Sequence, residues 1–128
     1  MNVLLDTHAL LWSYAAPQRL SQTARDCILD AADRKWVSVV SVWEIAIKLS
    51  IGKLTYVEDF DAFVKEAIFD NRFELLDIDP SHASESTRLP WAHKDPFDRM
   101  LAAQARVEKM PLVSADMVMD KYGITRIW

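Results

Sequence analysis

Short apolar runs alternate with helix-periodic segments from one end of this chain to the other. The run Val3-Leu4-Leu5 makes Asn2–Leu5 a strand buried on both faces, because it lacks the polar alternation of a half-exposed one. A helix is expected from about Thr7, with Asp6 or Thr7 as its N-cap. Pro17 falls in the link to a second helix, Ser21–Leu29, where Ala24, Ile28 and Ala31 or Ala32 share a face. Trp36–Val40 reads as the second strand, and Ser41 as the cap of a third helix ending near Gly52. Asp59–Asp70 carries Phe60, Phe63, Val64, Ala67 and Ile68 at helical spacing. Phe73–Ile78 is a third strand, Pro80 opens a short helix through about Thr87, and Leu89–Lys94 is a loop. Asp95 caps a long helix with Pro96 at its first position. Pro111–Ser114 is a fourth strand, Asp116–Lys121 a short helix and Ile124–Trp128 a fifth strand. Strands alternating with helices imply right-handed crossovers and a parallel sheet of about five strands. The expected fold is a three-layer α/β/α sandwich, as a single domain over residues 1–128.

Four carboxylates mark the handovers between these elements: Asp6, Glu44, Asp98 and Asp116. In a parallel sheet the strand-to-helix corners share one edge, where α/β proteins place their sites. Acids scattered in sequence then form one pocket. At about 5 Å and an effective dielectric of ~20, each pair repels by on the order of 3 kcal/mol, which divalent cations relieve. An oxygen-only ligand set favours Mg²⁺ or Mn²⁺ over zinc.

Each acid also has a purely structural explanation. Asp6 and Asp116 suit helix caps, Asp98 suits the first turn behind Asp95 and Pro96, and Glu44 suits an i,i+4 ion pair with Lys48. Two details favour chemistry. Glu44 has almost nothing polar around it in Val42-Trp43-Glu44-Ile45-Ala46-Ile47, and Asp6 ends the strand expected at the centre of the sheet.

Other chemistries fit less well. His8, His82 and His93 lack zinc-ligand spacing, and Cys27 is the only cysteine. No serine lies in a Gly-x-Ser-x-Gly context, and two glycines cannot build a phosphate-cradling loop. The tryptophans are expected mainly in the core, with Trp12 or Trp43 near enough to the pocket to contact a base. A net charge of −4 argues against broad electrostatic attraction to nucleic acid or membrane. No apolar stretch approaches the roughly 20 residues needed to span a bilayer, and no secretory signal pattern is present, so cytoplasm is expected.

Leu4-Leu5-Asp6-Thr7-His8-Ala9-Leu10-Leu11-Trp12, then Ser41–Lys48 with Gly52-Lys53-Leu54, resemble PIN-domain proteins of the VapC toxin type. His93–Ala105, Leu112–Asp116 and the closing Tyr122-Gly123-Ile124 with Ile127-Trp128 continue the resemblance from end to end. It implies a Mg²⁺- or Mn²⁺-dependent endoribonuclease, usually the toxin of a type II toxin–antitoxin pair, with RNA as substrate, a cognate antitoxin and a homodimeric state. Carried over by motif, Asp6 and Asp98 are the principal metal ligands, with Glu44 and Asp116 binding a second ion or positioning water. Asp98 is preferred to Asp95, which is left as the cap. Lys48, Lys94, Arg99 and Ser114 are candidate substrate contacts. Two rivals are a PIN-like binding module without catalysis and a phosphoaspartate receiver domain. The latter expects paired acids after the first strand, where this chain has a lone Asp6.

Overall fold

A computed structural model describes residues 1–92 and 94–128; His93, at the end of the expected loop and the start of one motif, lies outside the described residues. Five strands form one sheet: β1 (Asn2–Leu5), β2 (Arg34–Ser38), β3 (Glu74–Leu76), β4 (Leu112–Val113) and β5 (Arg126–Ile127). Their spatial order is β3-β2-β1-β4-β5, and every neighbouring pair is parallel. This order has β1 at the centre, which is why its apolar run is continuous: Val3, Leu4 and Leu5 are all fully buried.

Successive β1 side chains point to opposite faces and feed two separate cores. Val3 and Leu5 pack with Ala9, Leu10 and Leu11 of α1 (Thr7–Ala15), Ala24 and Ile28 of α2 (Gln22–Leu29), and Ile45 of α3 (Val39–Ser50). Phe63 of α4 (Phe60–Val64) joins them, with Ala67 and Ile68 from its widened continuation Lys65–Phe69. Leu4 packs on the other face with Leu101, Ala102 and Ala105 of α6 (Pro96–Glu108) and with Met119 and Tyr122 of a final 3₁₀ turn (Met117–Tyr122). Beside α6 lies α5 (Pro80–Ser86). The result is the expected α/β/α sandwich.

Register sets up the carboxyl edge. Leu5 of β1 lies opposite Val37 of β2 and Val113 of β4. The next residue in each strand is polar: Asp6, Ser38 and Ser114, all buried side by side.

Several boundaries differ from the sequence reading, for local reasons. Strand β2 ends at Ser38, not Val40, and Ser38 rather than Ser41 caps α3, its Oγ accepting from the Val40 amide at 3.1 Å. Val39 and Val40 are β-branched, but burial of Val40 outweighs their modest strand preference. Ser41 therefore falls inside the helix. Ala31 and Ala32 are exposed rather than helical, because α2 stops at Leu29 and Asp30 accepts from the Ala32 amide in a side-chain turn. Asp98 follows α5 and a loop rather than a strand, yet it meets Asp6 at the carboxyl end of β1.

Candidate active site

Asp6 leaves β1 and caps α1, Oδ1 accepting from the Ala9 amide at 2.7 Å. It is only 5% exposed. Burial pushes its carboxyl above the ordinary carboxylate range; hydrogen bonds from Ser114 and the Ala9 amide, and the charge of His8, oppose that push, while Asp116 adds to it. Asp116 follows β4 and caps the 3₁₀ turn through the Val118 amide at 3.0 Å. Asp95 caps α6 through the amides of Phe97 and Asp98, which leaves Asp98 in the first turn.

Asp6, Asp98 and Asp116 line one cleft of about 270 Å³, together with His8, Trp12 and Ala115. A larger hollow of about 750 Å³ opens at the opposite edge, beside Met1, Pro111 and Thr125, and gathers no comparable set of acids. His8 lacks zinc-ligand spacing, yet it belongs to the cleft wall, exposed and tilted against Trp12 at 5.4 Å. Its place two residues after Asp6, in the first turn of α1, is the signal that would have found it.

Glu44 does not line this cleft; it lies behind it. It is 3% exposed, with Oε1 accepting from the Thr7 hydroxyl at 2.7 Å and Oε2 from Lys48 Nζ at 2.7 Å. Ser41 supports the arrangement, its hydroxyl 2.9 Å from that of Thr7. Burial alone would lower the Lys48 ammonium, but its hydrogen bond to Glu44 and the charges of Glu44, Asp95 and Asp98 outweigh this and hold it above its usual value. Both the i,i+4 pair and the apolar setting read from the sequence are therefore real, with the Glu44 carboxylate buried and Lys48 reaching it from a partly exposed position.

Two candidate substrate contacts are corrected. Arg99 is 7% exposed, with its guanidinium donating to the carbonyls of Pro90, Ser86 and Leu89 at 2.8, 2.9 and 3.4 Å. Trp91 stacks on it at 3.8 Å. Arg99 therefore ties down the segment before α6 instead of lying open on the rim. Ser114 is fully buried; its Oγ accepts from the Asp116 amide at 3.0 Å and bonds Asp6, so it positions acids rather than touching substrate. Lys94 is exposed beside the start of α6.

Elsewhere, Asp79, His82 and Glu108 bring three possible ligand atoms within 4.8 Å of one another, close enough to coordinate a divalent cation. Their hydrogen bonding serves another purpose. His82 Nδ1 accepts from the Asp79 amide at 3.1 Å, completing the capping box of α5, so the proton sits on Nε2 and points at Glu108 Oε1, 3.0 Å away. Binding a cation at Nε2 would remove that proton. Glu108 is also ten residues from Asp98 on α6, about 15 Å along the axis at 1.5 Å per residue. The trio stands apart from the cleft.

A parallel α/β/α sandwich whose carboxyl edge gathers three acids defines the class: a small α/β protein with an acidic cleft at its central strand. Residues 3–124 match the PIN domain, and the chain belongs to the PIN-domain family. It is related to VapC-type toxins: it is 33% identical to ribonuclease VapC22 of Mycobacterium tuberculosis over 123 residues, 90% of this chain and 87% of the relative. Solved structures share the fold. VapBC2 from Rickettsia felis, bound to a promoter DNA fragment, aligns with a TM-score of 0.73 at 14% identity, covering 98% of this chain and 97% of that one. FitAcB from Neisseria gonorrhoeae aligns with a TM-score of 0.67 at 17% identity, covering 98% and 96%. The sheet order also excludes the receiver-domain rival, whose order is 2-1-3-4-5.

Proposed function

We propose that this protein is a metal-dependent endoribonuclease, the toxin of a type II toxin–antitoxin pair, with its ion held by Asp6, Asp98 and Asp116. The observation that carries this reading is the meeting of those three acids in one cleft. The donor set fits a hard divalent cation: it is all carboxylate oxygen, which favours Mg²⁺ or Mn²⁺. Burial of the Asp6 carboxylate costs stability beyond what His8 and its hydrogen bonds offset, and a cation would supply the remaining compensation. Kinship with a ribonuclease along nine-tenths of the chain supports RNA as the substrate.

The ion, when bound, supplies Lewis acidity, polarising the scissile phosphodiester and making water a better nucleophile at neutral pH. The chain's own residues arrange the rest. Ser114 fixes Asp6 relative to Asp116, and Asp95 orients the turn that presents Asp98. Glu44 pairs with Lys48 behind the cleft, while Lys94, exposed just before α6, would meet phosphates. Single-stranded or looped RNA suits an open cleft at a sheet edge, where a duplex would bury its bases. A protein antitoxin and a homodimeric toxin complete the reading, as kinship with VapC-type toxins implies. An enzyme of this kind works where its RNA is, in the cytoplasm; among the described residues no helix is long and apolar enough to cross a membrane.

The test is cleavage of mixed cellular RNA by the purified chain with Mg²⁺, Mn²⁺ or chelator. Metal-dependent fragments that disappear with Asp98→Asn support the reading; cleavage surviving chelator and Asp98→Asn alike would sink it.

A further inference from the structure

We propose that His8, backed by Trp12, is the surface on which a base of single-stranded RNA stacks beside the scissile phosphate. This rests on the acidic cleft being the ribonuclease site. Every residue from Val3 to Leu11 is buried except His8. Asp6 caps α1, Thr7 turns inward to Glu44 and Ala9 lies in the core, which leaves His8 as the outward side chain of the first turn. That side chain lines the cleft with Asp6, Asp98 and Asp116.

The imidazole is held rather than free in solvent. Trp12, one helical turn further along the same face, also lines the cleft and meets the His8 ring at 5.4 Å with a 40° tilt. The indole is itself fixed: Trp128 tilts against it at 5.8 Å, and the Arg19 guanidinium lies over its ring at 5.2 Å. A ring ordered before the ligand arrives loses less freedom when it binds. The chemistry of the wall also selects what it can meet. Three carboxylates repel any phosphate not neutralised by the ion, so the part of an RNA lying along His8 and Trp12 is its uncharged bases. Bases of single-stranded RNA stack on His and Trp rings with little regard to sequence, because every base has a π-face. Trp43, the other tryptophan expected near the cleft, is exposed but packs edge-on against Phe97 at 5.7 Å and does not line it.

The experiment measures, by fluorescence anisotropy, binding of labelled oligoadenylate to the full chain supplied with Ca²⁺, an ion that takes oxygen ligands. An oligomer of the same length with abasic ribose throughout carries the same phosphates and no bases. The wild type is expected to bind oligoadenylate about tenfold more tightly than the abasic oligomer, the size of one base–aromatic stack. His8→Ala should lose that preference and bind the abasic oligomer as the wild type does. His8→Phe, which keeps an aromatic ring, should retain it. His8 is exposed, so neither variant disturbs the core. No preference in the wild type, or one that His8→Ala keeps, overturns the proposal; the latter result would leave the wall to a protein partner. Equal losses for both oligomers in His8→Ala, the mark of a phosphate contact, also overturn it, as does a His8→Phe variant that behaves like His8→Ala. Wild-type binding indifferent to both Ca²⁺ and Asp98→Asn, with the His8-dependent preference intact, would instead remove the metal reading and leave the stacking surface.

Discussion

The Thr7 hydroxyl donates to Glu44 Oε1 at 2.7 Å across 37 positions of sequence, with Lys48 on the other oxygen. This makes Glu44 part of an internal network rather than a solvated helix face. Glu44→Gln keeps an acceptor for Thr7 but turns an amide N–H₂ toward the Lys48 ammonium. The expected cost is about 1–3 kcal/mol, the range for leaving a buried polar group unsatisfied. A solvent-exposed i,i+4 pair would cost only about 0.3–0.5 kcal/mol. Urea unfolding distinguishes the two, and adding Lys48→Met to Glu44→Gln should recover most of the loss. In cells, Glu44→Gln is expected to relieve the growth arrest caused by expressing the chain alone.

Asp6→Asn is expected to stabilise the metal-free protein, since Asn caps α1 and removes a buried charge. The pH dependence has a definite sign. The folded carboxyl titrates above its ordinary value, so the folded state holds the proton more tightly than the unfolded one. Its destabilising contribution is absent below the unfolded pKa, grows as pH rises through the window up to the folded pKa, and is complete above it. The difference in Tm between Asp6→Asn and wild type, measured in chelator from acid to neutral pH, should therefore increase with pH. A difference that stays flat would contradict the burial argument.

Ser114→Ala removes the hydroxyl that joins Asp6 to the Asp116 amide. Groups that orient metal ligands typically carry 10–100-fold in metal affinity. A loss of that size in Mn²⁺ affinity is expected, with the far-ultraviolet spectrum unchanged. Full affinity would mean the acids are held without it.

Arg99→Lys tests whether this residue is structural. Lysine cannot reach three carbonyls with a planar fork or stack on Trp91 in the same way. A loss on the order of 2 kcal/mol in stability is expected, from carbonyls left unpaired. The salt dependence of RNA binding should keep its slope, because no phosphate contact is lost.

His82→Gln separates the two carboxylate groups of the molecule. Gln can still accept from the Asp79 amide at this capping-box position, but loss of the bond to Glu108 and of the buried ring should lower Tm, while the metal dependence of RNA cleavage is expected to stay as in the wild type. If the metal requirement moved with His82, the trio rather than the cleft would be the working site.

Elements governed by neighbouring residues can be read directly from this sequence. Val3-Leu4-Leu5 announces a doubly buried strand, Asp95-Pro96 a helix start, and the alternation of such segments a parallel sandwich, because burial pattern and capping act within a turn or two. The cap of α3 is not legible in the same way. Ser38 and Ser41 are both good caps, and Val39-Val40 suits a strand locally; register with β1, which ends both strands at the same level, decides for Ser38. Charged side chains are harder still. Arg99 and Lys48 look alike as rim cations in the sequence, but one is sealed under Trp91 and the other seated on a buried acid. Above all, Asp6, Asp98 and Asp116 share a cleft only because β4, last but one in the chain, pairs with β1 at the centre of the sheet. The sequence determines which residues are acidic and which element each begins or caps. Their meeting is decided by long-range strand pairing, where burial on both faces of the central strand outweighs every local preference.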